Sequence, residues 1–123
     1  MSEREAIFTE RELDVMDVLW SQGSGTVLEV QEAIEDELAY TTVLTVLRTL
    51  EQKGYVSHEM DGRAYRYLPL VERTQARKSH LDRLLGNLFS GSPELLVTQL
   101  VSDRKMSKAE LKKLRALLDE RLS

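Results

Sequence analysis

Asp61-Gly62 separates two short runs, Tyr55 to Met60 and Arg63 to Leu68, that are rich in Val, Tyr and other strand-tolerant residues. An Asp-Gly pair between such runs is a strong local hairpin signal, because the two-residue type I′ turn needs positive φ at its centre. A β-hairpin is expected there, closed by Pro69. What precedes it has a helical period. Thr9-Glu10-Arg11-Glu12 and Thr26-Val27-Leu28-Glu29 both have the form of a capping box, in which a hydroxyl and a carboxylate each satisfy an orphan N–H at a helix start. The first opens a helix over about residues 10–21, with Leu13, Met16, Leu19 and Trp20 on one stripe, ended by Gly23-Ser24-Gly25. The second opens a short helix over 27–35 through Val30, Ala33 and Ile34. A third periodic segment, Thr41 to Lys53, is stopped by Gly54, which suits the left-handed position just past a helix end.

Three helices followed by a hairpin within about 70 residues is the order of a winged helix-turn-helix, in which the third helix enters the major groove and the wing reaches the neighbouring backbone. After Pro69 the chain turns helical again: a segment from about Val71 to Leu88 or Phe89, a break at Ser90-Gly91-Ser92-Pro93, a helix from Pro93 through about Val101, and a last helix opened by a third capping box, Ser107-Lys108-Ala109-Glu110. Leu81, Leu84, Leu85, Leu88 and Phe89 stripe the first of these, and Leu111, Leu114, Leu117, Leu118 and Leu122 the last. Some 50 residues are too few for a core that hides so many leucines, so this region is expected to pair with a second copy. The fold class expected is mainly α with a small β-hairpin wing. Residues 1–70 form the winged helix, and 71–123 a helical dimerisation region whose contacts are Leu81, Leu84, Leu85, Leu88, Leu100, Leu111, Leu114 and Leu118.

Composition narrows the chemistry. There is no cysteine and only two scattered histidines, His58 and His80, so thiol chemistry is excluded and no metal or other cofactor is expected. No apolar run is long enough for a membrane span and the N-terminus lacks a signal-peptide pattern, which suggests a cytoplasmic protein. The acidic side chains Glu10, Glu12, Asp14 and Asp17 are placed on the solvent side of the first helix with no His or Lys partner, so no enzyme is indicated. The net charge of −4 is unevenly spread. Residues 1–40 carry 11 acidic and 2 basic side chains, residues 41–83 carry 5 and 8, and residues 84–123 carry 5 and 7. Phosphate contact depends on the local field, so the basic excess lies where a DNA surface is needed, although a solvated face explains it equally well.

On the third helix, Thr41, Thr42, Thr45, Arg48 and Thr49 share one arc, with Val43, Val46, Leu47 and Leu50 opposite. Threonine is a poor helix former, so a face of short hydroxyls and one arginine, free of carboxylates, suits close approach to base edges, thymine methyls and phosphates. Neutral surface residues are the plainer alternative. Lys53, Arg63 and Arg66 add basic groups at the helix end and wing, suited to phosphate or minor-groove contact. A charged edge that blocks strand pairing suits Arg63 equally well and is favoured for Arg66. Tyr65 and Tyr67 alternate onto one face and are expected to form the wing core, while His58 and His80 are expected to be structural or exposed. A winged helix that binds protein and not DNA remains the competing reading.

Five blocks now stand in order: Phe8 to Trp20, Thr26 to Val30, Ala39 to Leu47, Leu50 to Val56 and Gly62 to Val71. Together they resemble the BlaI/MecI/CopY family of repressors over nearly the whole chain. The resemblance implies a homodimer bound to double-stranded DNA at a palindromic operator, repressing antibiotic-resistance or stress genes. It also makes the Thr41–Lys53 segment the recognition helix. Relatives controlling β-lactam resistance are cleaved by a membrane sensor protease, typically at an Asn-Phe bond. The matching stretch here, Leu96 to Val101, places the bond at Gln99-Leu100, with different residues on both sides. Copper-responsive relatives use a cysteine motif that this chain lacks.

Overall fold

In the computed structural model, which describes residues 4–103 and 105–123, all three capping boxes close. They start α1 (Glu10–Gln22), α2 (Val27–Ala33) and α6 (Lys108–Leu122). Between them lie β1 (Gly25–Thr26), α3 (Tyr40–Gln52), β2 (Val56–Asp61), β3 (Ala64–Pro69), α4 (Arg73–Leu88) and α5 (Pro93–Asp103). The second helix stops at Ala33, two residues before its expected end at Glu35, with Ile34 already extended.

The end of α3 follows from Gly54. Its φ of +81° lets the chain reverse, so that its N–H reaches the Glu51 carbonyl and the Tyr55 N–H reaches the Leu50 carbonyl. These two bonds make a Schellman motif.

The sheet has three strands in the order β1-β3-β2, all antiparallel. The two-residue β1 was not foreseen, because two residues carry no period. The turn is also displaced from its expected place. Asp61 pairs with Ala64, so the loop residues are Gly62 and Arg63, not Asp61 and Gly62. Gly62 has a φ of +64°, and Arg63 is absent from the left-handed residues. Positive φ at the first central position alone is the type II′ pattern, with glycine where that turn requires it.

The chain divides into two compact units, one ending at Leu81 and one running Asp82–Ser123. In the first, Val15, Met16 and Leu19 of α1 pack with Val30 of α2, Val43, Leu47 and Leu50 of α3 and Val56 and Tyr67 of the hairpin. Glu12 is buried among them, 4% exposed, which corrects its placement on the solvent side of α1. Tyr67 is in the core as expected, but Tyr65, on the same face, is 46% exposed. The pleat sets the face, while depth depends on how far along the hairpin the helical body reaches.

The first turns of α4 belong to this unit. Val71 and Ala76 are buried, the Ala6 N–H donates to Ser79 Oγ and the Phe8 N–H donates to His80 Nε2. The second unit contains the end of α4 with α5 and α6, and no residue of α5 or α6 is buried. No helix among the described residues is long and apolar enough to cross a membrane.

Candidate nucleic-acid interface

α3 presents its polar arc outward. Thr41, Thr42, Thr45 and Arg48 are exposed and Thr49 is half-buried, while Val43, Leu47 and Leu50 on the opposite side are fully buried. The Thr45 hydroxyl donates to the Thr41 carbonyl at 2.9 Å. Its donor is thus used within the helix, and its methyl and oxygen lone pairs are left to face a ligand. Ala39 caps α3 without a side-chain hydrogen bond, and Ala39 to Thr42 are exposed.

Arg48 and Arg63 take part in none of the ion pairs among the described residues. Both line an open groove of about 350 Å³ among α3, the start of α2 and the wing, together with Tyr40, Leu44, Met60 and Tyr65. Two cations on an open groove whose lining carries no carboxylate suit a sugar-phosphate strand.

The other two basic residues are committed internally. Lys53 Nζ lies 2.7 Å from the buried Glu12 carboxylate, whose other oxygen accepts from the Thr9 N–H. Burial pushes the Glu12 carboxyl up, but Lys53 and the Thr9 backbone outweigh it and hold the group below its ordinary range. Arg66 bridges Glu29, Asp61 and Ser24. His58 Nδ1 lies 2.5 Å from Glu51 Oε2, tying β2 to the end of α3, and its ring packs on Tyr65 at 4.3 Å between centroids.

Residue periodicity did not reveal Arg4. Its guanidinium donates to the Lys53 and Gly54 carbonyls at 2.7 and 2.6 Å and lies over the Tyr55 ring. A cation on the carbonyls just past the end of α3 is the favourable charge for that end of a helix dipole. No group of side chains able to hold a metal ion occurs among the described residues.

Residues 8–120 match the family model described as penicillinase repressor. The chain belongs to the penicillinase repressor family. It is similar to the penicillinase repressor of Bacillus licheniformis, 25% identical over 91% of this chain and 89% of that protein. A shorter match, 47% identical over 64 residues, is to the transcriptional regulator BlaI of Mycobacterium tuberculosis and covers 50% of this chain and 46% of that protein. Among solved structures, the DNA-binding domain of the repressor BlaI superposes with a TM-score of 0.51 at 28% identity, over 58% of this chain and 93% of that one. A mutant of MarR from E. coli, crystallised with operator DNA, shares the fold at a TM-score of 0.54 and 15% identity, over 94% of this chain and 76% of that one. The family is one of transcriptional repressors, not of enzymes.

The Gln99-Leu100 bond lies inside α5 with both residues exposed, and the Gln99 amide donates to Asp103. Proteases take extended segments, so cutting there requires α5 to unwind locally.

Proposed function

We propose that the chain represses transcription by binding a palindromic DNA operator as a homodimer, with Thr41, Thr42, Thr45 and Arg48 of α3 in the major groove and Arg63 on the adjacent backbone. The observation that carries this is the exposed face of α3. It consists of hydroxyls and one uncommitted arginine beside a second on the wing, with no carboxylate between them. Membership of a repressor family and likeness to a domain described as DNA-binding support it. The net negative charge is no obstacle, because the acidic excess lies in residues 1–40. The homodimer is supported by the leucines left uncovered in the second unit, and a two-fold dimer calls for a two-fold site with half-sites about one helical turn, or a multiple of it, apart. Lys53 and Arg66 act inside the fold. Release by a sensor protease at Gln99-Leu100 then needs α5 to open first.

Selection from a random duplex pool at near-physiological salt tests the reading. A two-fold symmetric motif is expected, and Thr45→Glu should weaken its binding about a hundredfold by setting a carboxylate against the DNA. Recovery of no motif would move the winged helix to the protein-binding class.

A further inference from the structure

We propose that Arg66 is a positioning residue for the wing, clamping the hairpin to the start of α2 so that Arg63 is held where the DNA backbone passes. This rests on the DNA-binding reading above. A guanidinium has five N–H groups, and Arg66 makes five contacts. Nε and Nη2 reach Asp61 Oδ2 at 2.9 and 2.7 Å, Nη1 reaches Ser24 Oγ at 3.2 Å and Glu29 Oε1 at 2.8 Å, and Nη2 reaches Glu29 Oε2 at 3.3 Å. Four of the five N–H groups are thus used in hydrogen bonds within the fold, and Nη2 lies also within ion-pair distance of Asp61.

The partners come from three places. Ser24 lies in the turn after α1, Glu29 in the first turn of α2, and Asp61 at the last residue of β2, next to the Gly62-Arg63 loop. Glu29 is itself fixed by its capping box, since Oε1 also accepts from the Thr26 N–H. Arg66 pairs with Thr26 across β1 and β3, so the clamp sits where the hairpin meets the helical body. Hydrogen bonds from Arg66 and the Thr26 backbone hold the Glu29 carboxyl below its ordinary range. The pair therefore stays ionised at neutral pH. The loop carrying Arg63 is thereby anchored at its base, while Arg63 itself has no ion pair among the described residues.

Glu29→Gln with Asp61→Asn gives a test whose sign discriminates. Both changes remove negative charge near the DNA and release Arg66, so an Arg66 that contacted phosphate would bind as tightly or more tightly. Glutamine also serves at the third position of a capping box, so α2 keeps its start. The clamp predicts the opposite: affinity for the selected duplex, read by fluorescence anisotropy, falls about tenfold, the scale of one charge-assisted bond. Unchanged or tighter binding overturns the proposal.

A second measurement does not depend on that variant folding well. Each phosphate contact contributes about 0.9 to the slope of log affinity against log salt. Arg63→Ala and Arg66→Gln should each lower the slope by roughly that amount, and the double variant by no more than either alone. Additive loss would make Arg66 a phosphate contact and overturn the clamp. Wild-type protein that binds no duplex at low salt would overturn the DNA-binding reading itself, and the clamp with it.

Discussion

Glu12 shows how one side chain serves two purposes when the fold buries it. One oxygen completes the capping box of α1 and the other meets Lys53 at the end of α3, so the carboxylate joins the start of the first helix to the finish of the third. Its pKa is depressed, so the stability it supplies is present above the ordinary 4.5 and is lost as pH falls through the lowered folded value. Glu12→Gln keeps an acceptor for the Thr9 N–H but ends the ion pair. With Lys53 half in water, the cost should be about 1 kcal/mol at pH 7. Urea melts at pH 7 and pH 3.5 check this: the difference between wild type and variant should be present at the first and shrink at the second. An equal difference at both would mean the charge contributes nothing. The solvent-side placement of Glu12 failed for a physical reason. Helical position alone puts a carboxylate outward, and only the partner 41 residues away makes its burial tolerable.

At the scale of elements, what was legible had a local cause. Capping boxes place helix starts because the bonds they describe span four residues, and all three recurred as read. The threonine face of α3 was legible for the same reason: period alone separates it from Val43, Leu47 and Leu50. The contacts that join elements were not. Arg4 on the end of α3, His80 accepting from Phe8 and Arg66 on Glu29 each link residues at least 37 apart, and no local pattern announces them. The hairpin lies between these cases, since Gly62 marked the turn while the register moved it by one residue. The end of α3 offers a direct test. Gly54→Ala puts a Cβ at a φ of +81° and within 2.9 Å of the Arg4 guanidinium, so it should cost about 1–2 kcal/mol from backbone strain and displace Arg4. Thermal unfolding followed by circular dichroism measures it, and Arg4→Ala should cost less in the Gly54→Ala background than in the wild type. Full additivity would show that the two do not meet.

For the molecule as a whole, the two units differ in how they are stabilised. The winged helix closes a core of its own, whereas α5 and α6 contain no fully buried residue. Leu88, Leu95, Leu100, Leu111, Leu114, Leu117, Leu118 and Leu122 are between 39% and 84% exposed. A helix of 15 residues such as α6 is marginal alone in water, and most helical stability in proteins comes from packing an apolar face. These leucines call for an external surface, and the second copy proposed above would supply one of matching chemistry. Sedimentation equilibrium at about 10 μM should give twice the chain mass, with a melting temperature for the helical region that rises with concentration. Leu114→Asp with Leu118→Asp should yield a monomer that loses helical signal from the second unit but keeps the environment of Trp20, whose indole N–H donates to the Val71 carbonyl within the first. The same variant should bind a single half-site as wild-type monomer units do and lose the gain from occupying two at once, which in linked sites reaches about 10²–10⁴. Wild-type protein that sediments as a monomer at that concentration would leave the leucines unexplained and remove the reason to expect a two-fold operator.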